Sequence, residues 1–143
     1  MDLPKDVSQA STVPKFPETV KIKSYNPTYH ANPRQVARAL DMILHAQRPV
    51  LYTGGGIVLS DSGEGLFKFA TSLQIPVTST LMGLGGFPGD HPLWMGMLGM
   101  HGTYCANMAV SQADVLIAVG ARFDDRVTGK LTEFAPHAKI VHI

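Results

Sequence analysis

Residues Val115–Val119 form a continuous apolar run that stops at Gly120 and gives way within a few positions to Arg122, Asp124, Asp125 and Arg126. A run that is apolar at every position must be covered on both faces, as a strand inside a parallel sheet is. Its far end then delivers a glycine and a dense cluster of charge to one place. In open α/β sheets the crevice outside the carboxyl ends of the strands takes the ligands, because loops and helix starts converge there. The stretch 101–129 is therefore predicted to combine a helix, a buried strand and a ligand-facing loop.

Upstream segments repeat the pattern. Asn32-Pro33-Arg34-Gln35 has a capping residue, a proline suited to the first helical position and capping-box spacing. Val36, Leu40, Ile43 and Leu44 follow at helical spacing, which predicts one buried face and a helix ended by Arg48-Pro49. Val50-Leu51-Tyr52 reads as a strand, and Thr53-Gly54-Gly55-Gly56 follows at once. Those glycines either let the backbone approach a ligand and leave amides free for phosphate oxygens, or make a tight turn that needs positive φ. The triplet is neither GxGxxG nor the P-loop pattern. Asp61-Ser62-Gly63-Glu64 again has capping-box spacing, Leu66, Phe67, Ala70 and Leu73 give an apolar helical face, and residues 75–79 read as the next strand. Short strands alternating with helices predict a parallel sheet with helices on both faces.

The stretch 80–102 holds seven of the 14 glycines and four of the seven methionines. Loops of this length are functional or disordered, and Met82, Leu84, Phe87, Trp94, Met97, Leu98 and Met100 favour burial. The segment is expected either to plug irregular core gaps or to form a glycine-hinged wall around a planar cofactor. His101-Gly102-Thr103 is expected to open the next helix and aim donors at a phosphate or sugar. Arg122 and Arg126 offer forks suited to carboxylate or phosphate, and the two aspartates can accept from sugar hydroxyls; a self-paired surface turn has the same composition. Residues 131–135 are expected to form a short helix and 139–143 a last strand, for about four strands in all. Residues 1–32 carry Pro4, Pro14, Pro17 and Pro27, with Pro33 next, and are predicted to run as an extended linker.

A net charge of +1 gives no footprint for nucleic acid or an anionic membrane. No apolar run approaches the ~20 residues of a bilayer span. The single cysteine, Cys105, excludes an internal disulfide and fits a reducing compartment. Six histidines show neither HxxxH nor CxxC spacing, so no metal site is expected.

The motifs TGGG at 53–56, TLMGLGGFPGDHPLWMGMLGMHG at 80–102 and GARFDDRVTG at 120–129, in this order, resemble the central domain of the acetolactate synthase (acetohydroxyacid synthase) catalytic subunit family. The resemblance runs from about Leu3 to the last residue. It implies a Rossmann-like, DHS-like FAD-binding α/β domain over residues 33–143, incomplete on its C-terminal side, behind a linker, 1–32, from an absent pyrimidine-binding domain. It implies FAD contacts at Gly54, Gly55, Gly56, Thr80, Leu81, Met82, Leu98, Gly99, His101, Gly102, Gly120, Ala121, Arg122, Asp124 and Val127. Met100, Asp125 and Arg126 would face a substrate channel. No catalytic residue is expected in this chain; thiamine diphosphate and Mg2+ would sit in flanking domains of a homo-oligomeric, cytoplasmic bacterial parent with a small regulatory subunit. That parent would condense two pyruvates, or pyruvate and 2-ketobutyrate. Glyoxylate carboligase or pyruvate oxidase, or a structural module with a vestigial nucleotide site, are the alternatives.

Overall fold

The computed structural model describes residues 2–143; Met1 lies outside them. The chain divides into two units, Met1–Ala31 and Asn32–Ile143. In the first, a helix α1 (Lys5–Gln9) starts behind Pro4 and buries nothing, and the other described residues carry no strand or helix. The expected extended run is thus broken by one short helix, since Pro14, Pro17 and Pro27 interrupt helical hydrogen bonding only further along and Lys5–Gln9 contains no proline.

The second unit is a five-stranded, wholly parallel sheet in the order β3-β2-β1-β4-β5. Its strands are β1 (Pro49–Thr53), β2 (Val77–Ser79), β3 (Trp94–Met97), β4 (Val115–Val119) and β5 (Lys139–His142). The helices are α2 (Pro33–Leu44), α3 (Gly55–Leu59), α4 (Gly63–Leu73), α5 (Tyr104–Gln112) and the single turn α6 (Asp125–Thr128). Alternation along the strands sorts the core into two layers. Leu51, Val77, Val115, Ile117 and Val141 face Ile43 of α2, Ile57 of α3, and Leu66 and Ala70 of α4. Val50, Tyr52, Leu116 and Ala118 face Ala106 and Val110 of α5. Leu51 and Ile117, paired in register at the centre, are fully buried, so truncating either to alanine would cost about 2–5 kcal/mol.

The sheet has one more strand than expected. Trp94–Met97 was expected to be loop, yet it pairs with β2 through an irregular register. Gly96 at φ +88° and the absence of β-branched residues hide it from pattern reading. Residues 131–135 are not a helix but a turn over 131–133 followed by a bend at 134–135, with Ala135 at φ +44°. Helix α2 stops at Leu44, before Arg48-Pro49, and only Ile43 of its expected face is buried; Val36, Leu40 and Leu44 stay 51, 45 and 61 % exposed. Neither capping box closes: Asn32 accepts from the Arg34 amide without help from Gln35, and Asp61, at φ +52°, lies one residue ahead of the actual cap, Ser62, which bonds Ser60 instead of its own helix.

The order of strands has one reversal. From β1 the chain moves outward through β2 to β3; it then crosses through α5 to the other side of β1, forms β4 and continues to β5. Strands β1 and β4 are neighbours whose onward connections leave in opposite directions, over opposite faces. Ligands in this class of sheet bind at the carboxyl ends of such a pair.

Candidate functional site

At the carboxyl ends of β1 and β4 the two loops meet backbone to backbone. A Cβ on Gly54 would lie 2.4 Å from the Gly120 carbonyl oxygen, one on Gly56 2.6 Å from the Gly120 Cα, and one on Gly120 2.8 Å from the Gly56 Cα. Three glycines are therefore used to bring two loops into contact. Only Gly120, at φ +59°, also needs the left-handed conformation. The expectation of free amides holds for one member of the triplet. Gly54 N–H donates to Val119 O at 3.0 Å and Gly56 N–H to Gly120 O at 2.9 Å, whereas the Gly55 amide has no acceptor among the described residues.

The next loop, 80–86, lies over this contact. Thr80 donates its amide to Thr53 O at 2.9 Å and caps the 3-10 turn Leu81–Gly83 by accepting from the Gly83 amide at 3.1 Å. A Cβ on Gly55 would touch the Met82 side chain at 3.1 Å. The side chains of Leu81 and Met82 project to solvent, 67 and 75 % exposed.

The remainder of the 80–102 segment is partly core and partly surface. Phe87 and Leu98 are buried, and Phe87 stacks on Trp94 and packs edge-on against His91. Met100 is 70 % exposed at the rim. Gly99, at φ +92°, is gripped by the Asn107 side chain, which accepts from its amide at 2.8 Å and donates to its carbonyl at 3.0 Å. A Cβ there would strike the Arg126 carbonyl at 2.7 Å, and Met100 N–H donates to that same carbonyl at 3.0 Å. So loops 98–102 and 124–127 are joined. Gly102 packs on the Leu98 backbone, and Thr103, not His101, caps α5 by accepting from the Ala106 amide at 3.1 Å. His101 is exposed in the preceding turn, and Cys105, in the first turn of α5, is exposed and free.

The charged cluster is partly self-paired. Arg122 meets Asp124 in an ion pair at 2.5 Å, with 87 % of the arginine side chain exposed. Asp124 caps α6 by accepting from the Arg126 amide at 3.0 Å. That amide, a side-chain hydrogen bond with Asp125 and the Arg122 guanidinium hold its carboxyl below the usual range, so it is an anion at neutral pH. Asp125 also accepts from the Arg126 amide. Among the described residues the Arg126 guanidinium has no ion-pair partner. Val127 is half-buried against Leu98 and Tyr52's layer, and Ala121 is buried.

The sequence-predicted positions therefore converge on one edge from three loops: 54–56, 80–102 and 120–127. Tyr52, His142 and Asn107, which bind these loops, lie on regular elements and belong to no motif that would mark them in the sequence. No group of His, Cys, Asp or Glu among the described residues is arranged to hold a metal ion. No buried side-chain polar atom among them lacks a partner. Exposed donors for a ligand are thus the loop amides and two arginines, a set that suits phosphate or carboxylate oxygens.

Residues 36–143 match the family model described as thiamine pyrophosphate enzyme, central domain, and the chain belongs to that family. Its full length aligns with the acetolactate synthase large subunit of Buchnera aphidicola subsp. Acyrthosiphon pisum at 49 % identity, covering 25 % of that protein. It aligns at 46 % with the acetolactate synthase isozyme 3 large subunit of Escherichia coli, again all of this chain and 25 % of the relative. The chain spans about a quarter of the length of the curated relatives it matches. An X-ray structure from Mycobacterium smegmatis, of a protein described as thiamin diphosphate-dependent, superposes with a TM-score of 0.54 at 30 % identity over 62 % of this chain and 17 % of that one. No helix among the described residues is long and apolar enough to cross a membrane.

Proposed function

We propose that this chain is the FAD-holding central domain of an acetolactate synthase large subunit. The observation that carries this is the meeting of the glycine loops after β1 and β4 at the one reversal of strand order, with arginines and unbonded amides on the same edge. The residues fit the group. The Arg122 fork and the amides of residues 121–123 would take the diphosphate, and Asp124, held as an anion, would accept from ribose or ribityl hydroxyls. The exposed Leu81, Met82 and Met100 side chains give an apolar rim for a planar ring.

Arg126, free of any ion pair among the described residues, would anchor the carboxylate of a 2-ketoacid entering past Asp125 and Met100. In the whole protein, bound thiamine diphosphate with Mg2+ would supply the carbanion chemistry that joins two pyruvates, or pyruvate and 2-ketobutyrate, after loss of carbon dioxide. This chain's part is to bind, orient and line the approach. Neighbouring domains of the same polypeptide, further subunits and a small regulatory subunit would complete the assembly, in the cytoplasm of a bacterium.

Titrating FAD into the 143-residue chain, with flavin fluorescence and the thermal midpoint as readouts, tests the assignment. Saturable binding with a rising midpoint is expected, weakened in Arg122→Ala. A folded chain that does not bind sinks the FAD reading. Acetolactate formation from pyruvate by the full-length protein tests the activity, and a different carboligation product would replace it.

A further inference from the structure

Two side chains outside the family motifs end on the loop after β4. Tyr52 of β1 is fully buried, and its hydroxyl donates to the Arg122 carbonyl at 2.9 Å. His142, the last residue of β5, is held with Nε2 2.7 Å from the Ala121 carbonyl; because a carbonyl only accepts, Nε2 carries the proton. Strands β1 and β5 flank β4 on its two sides, so successive peptide units of one loop are gripped from both neighbours. Phe123 fills the space between, edge-on to the Tyr52 ring at 5.7 Å and to the His142 ring at 5.2 Å. Burial, with the Asp124 carboxylate adding to it, pushes the Tyr52 phenol up to about 12, so it stays a donor at any physiological pH.

The consequence follows from the planar trans peptide, in which C=O and N–H point in opposite directions. Turning the Ala121 carbonyl toward His142 turns the Arg122 amide away from it. Turning the Arg122 carbonyl toward Tyr52 does the same to the Phe123 amide. Neither amide has an acceptor among the described residues.

We propose that Tyr52 and His142 are positioning residues that fix these two peptide planes, so that the Arg122 and Phe123 amides, together with the Arg122 guanidinium, form a preset donor group for a diphosphate. For its natural ligand the proposal rests on the FAD assignment above; the donor group itself requires only an anion.

The test uses backbone amide NMR of the 143-residue chain with two probes, FAD and inorganic pyrophosphate. Tyr52→Phe removes only the hydroxyl, and His142→Phe puts an aromatic ring without a donor in place of the imidazole. The Arg122 and Phe123 amide signals should move on titration in the parent chain. Each variant should bind about ten-fold more weakly, as loss of one preset interaction of ~1.4 kcal/mol would give, and those two signals should respond less while the signals of β2 and α4 stay in place. If FAD binds and either these signals stay still or both folded variants bind as the parent does, the positioning role is overturned and the FAD assignment survives. If pyrophosphate moves them and FAD does not bind, the FAD assignment fails and the donor group stands. Binding of neither overturns both. Should Tyr52→Phe fail to fold, His142→Phe, at the end of an edge strand, carries the comparison.

Discussion

The two ends of the sheet are closed by opposite means. At the amino ends of the strands a side chain does the work: Asp114, just before β4, accepts from the Gln47 and Arg48 amides at 2.7 and 2.9 Å, and its backbone bonds Arg48 and Lys139. At the carboxyl ends backbone meets backbone across Gly54, Gly56 and Gly120, and side chains take hold of carbonyls. The amino end ties down the amides of Gln47, Arg48 and Asp114, and the carboxyl end leaves those of Gly55, Arg122 and Phe123 without acceptors among the described residues. A cavity of about 490 Å³, lined by Arg48, Leu73, Gln74 and Gln112 among others, lies at the amino end, where the last turns of α4 and α5 present carbonyls. Volume and donor chemistry therefore point to different ends. An anionic ligand needs donors, which favours the carboxyl end.

The largest expected effect comes from filling the glycine contact. Gly54→Ala places a methyl 2.4 Å from the Gly120 carbonyl oxygen and should lower stability by about 3 kcal/mol in denaturant unfolding. Gly65→Ala, in an exposed position of α4 with nothing within 4 Å, should instead raise it by about 0.5–1 kcal/mol. Equal losses in the two would show that the close approach is not what constrains Gly54.

A smaller loss is expected where a side chain holds the carboxyl-end loops. Asn107→Ala removes both hydrogen bonds to Gly99 and should cost about 2 kcal/mol by the same measurement. A change within error would mean that the Gly99 turn is held by its contact with Arg126 alone.

The smallest effect belongs to the amino end and is confined to acid. Partial burial works to raise the Asp114 carboxyl pKa, but the amides of Gln47, Arg48, Asp114 and Val115 outweigh it and hold the pKa below its ordinary value. A lowered folded-state pKa contributes stability above the unfolded value, about 3.9, and loses it as pH falls through the folded one. Asp114→Asn should narrow the stability difference between pH 6 and pH 3, and an unchanged pH profile would remove Asp114 from the account.

Much of the sheet was legible because β1 and β4 are short, largely apolar runs that end at a glycine, and because Ile75-Pro76-Val77 and Ile140-Val141 mark β2 and β5. Strand β3 was not, since Trp94–Met97 is held by pairing with β2 and by the Thr78 hydroxyl donating to the Gly96 carbonyl at 2.8 Å, neither of which is local. The period of Val36, Leu40 and Leu44 gave α2 correctly, but an apolar stripe does not state what covers it. The site loops were found from glycine and charge. That Gly54 and Gly56 serve contact with Gly120, 64 residues or more downstream, needs the register of β1 against β4. Tyr52 and His142 were invisible for the same reason: a hydroxyl and an imidazole at strand ends acquire meaning only from the loop that stops beside them.

The glycine contact also limits how this chain can change over generations. Each of Gly54, Gly56 and Gly120 is required by the backbone opposite, so a side chain added at any one of them meets the other loop. No sequence of single replacements leads from this joint to one built with side chains without passing through a clash. Variation in such a domain is channelled to positions such as Leu59 and Leu131, whose exposed side chains stand clear of the joint and can be exchanged while the scaffold that carries them stays fixed.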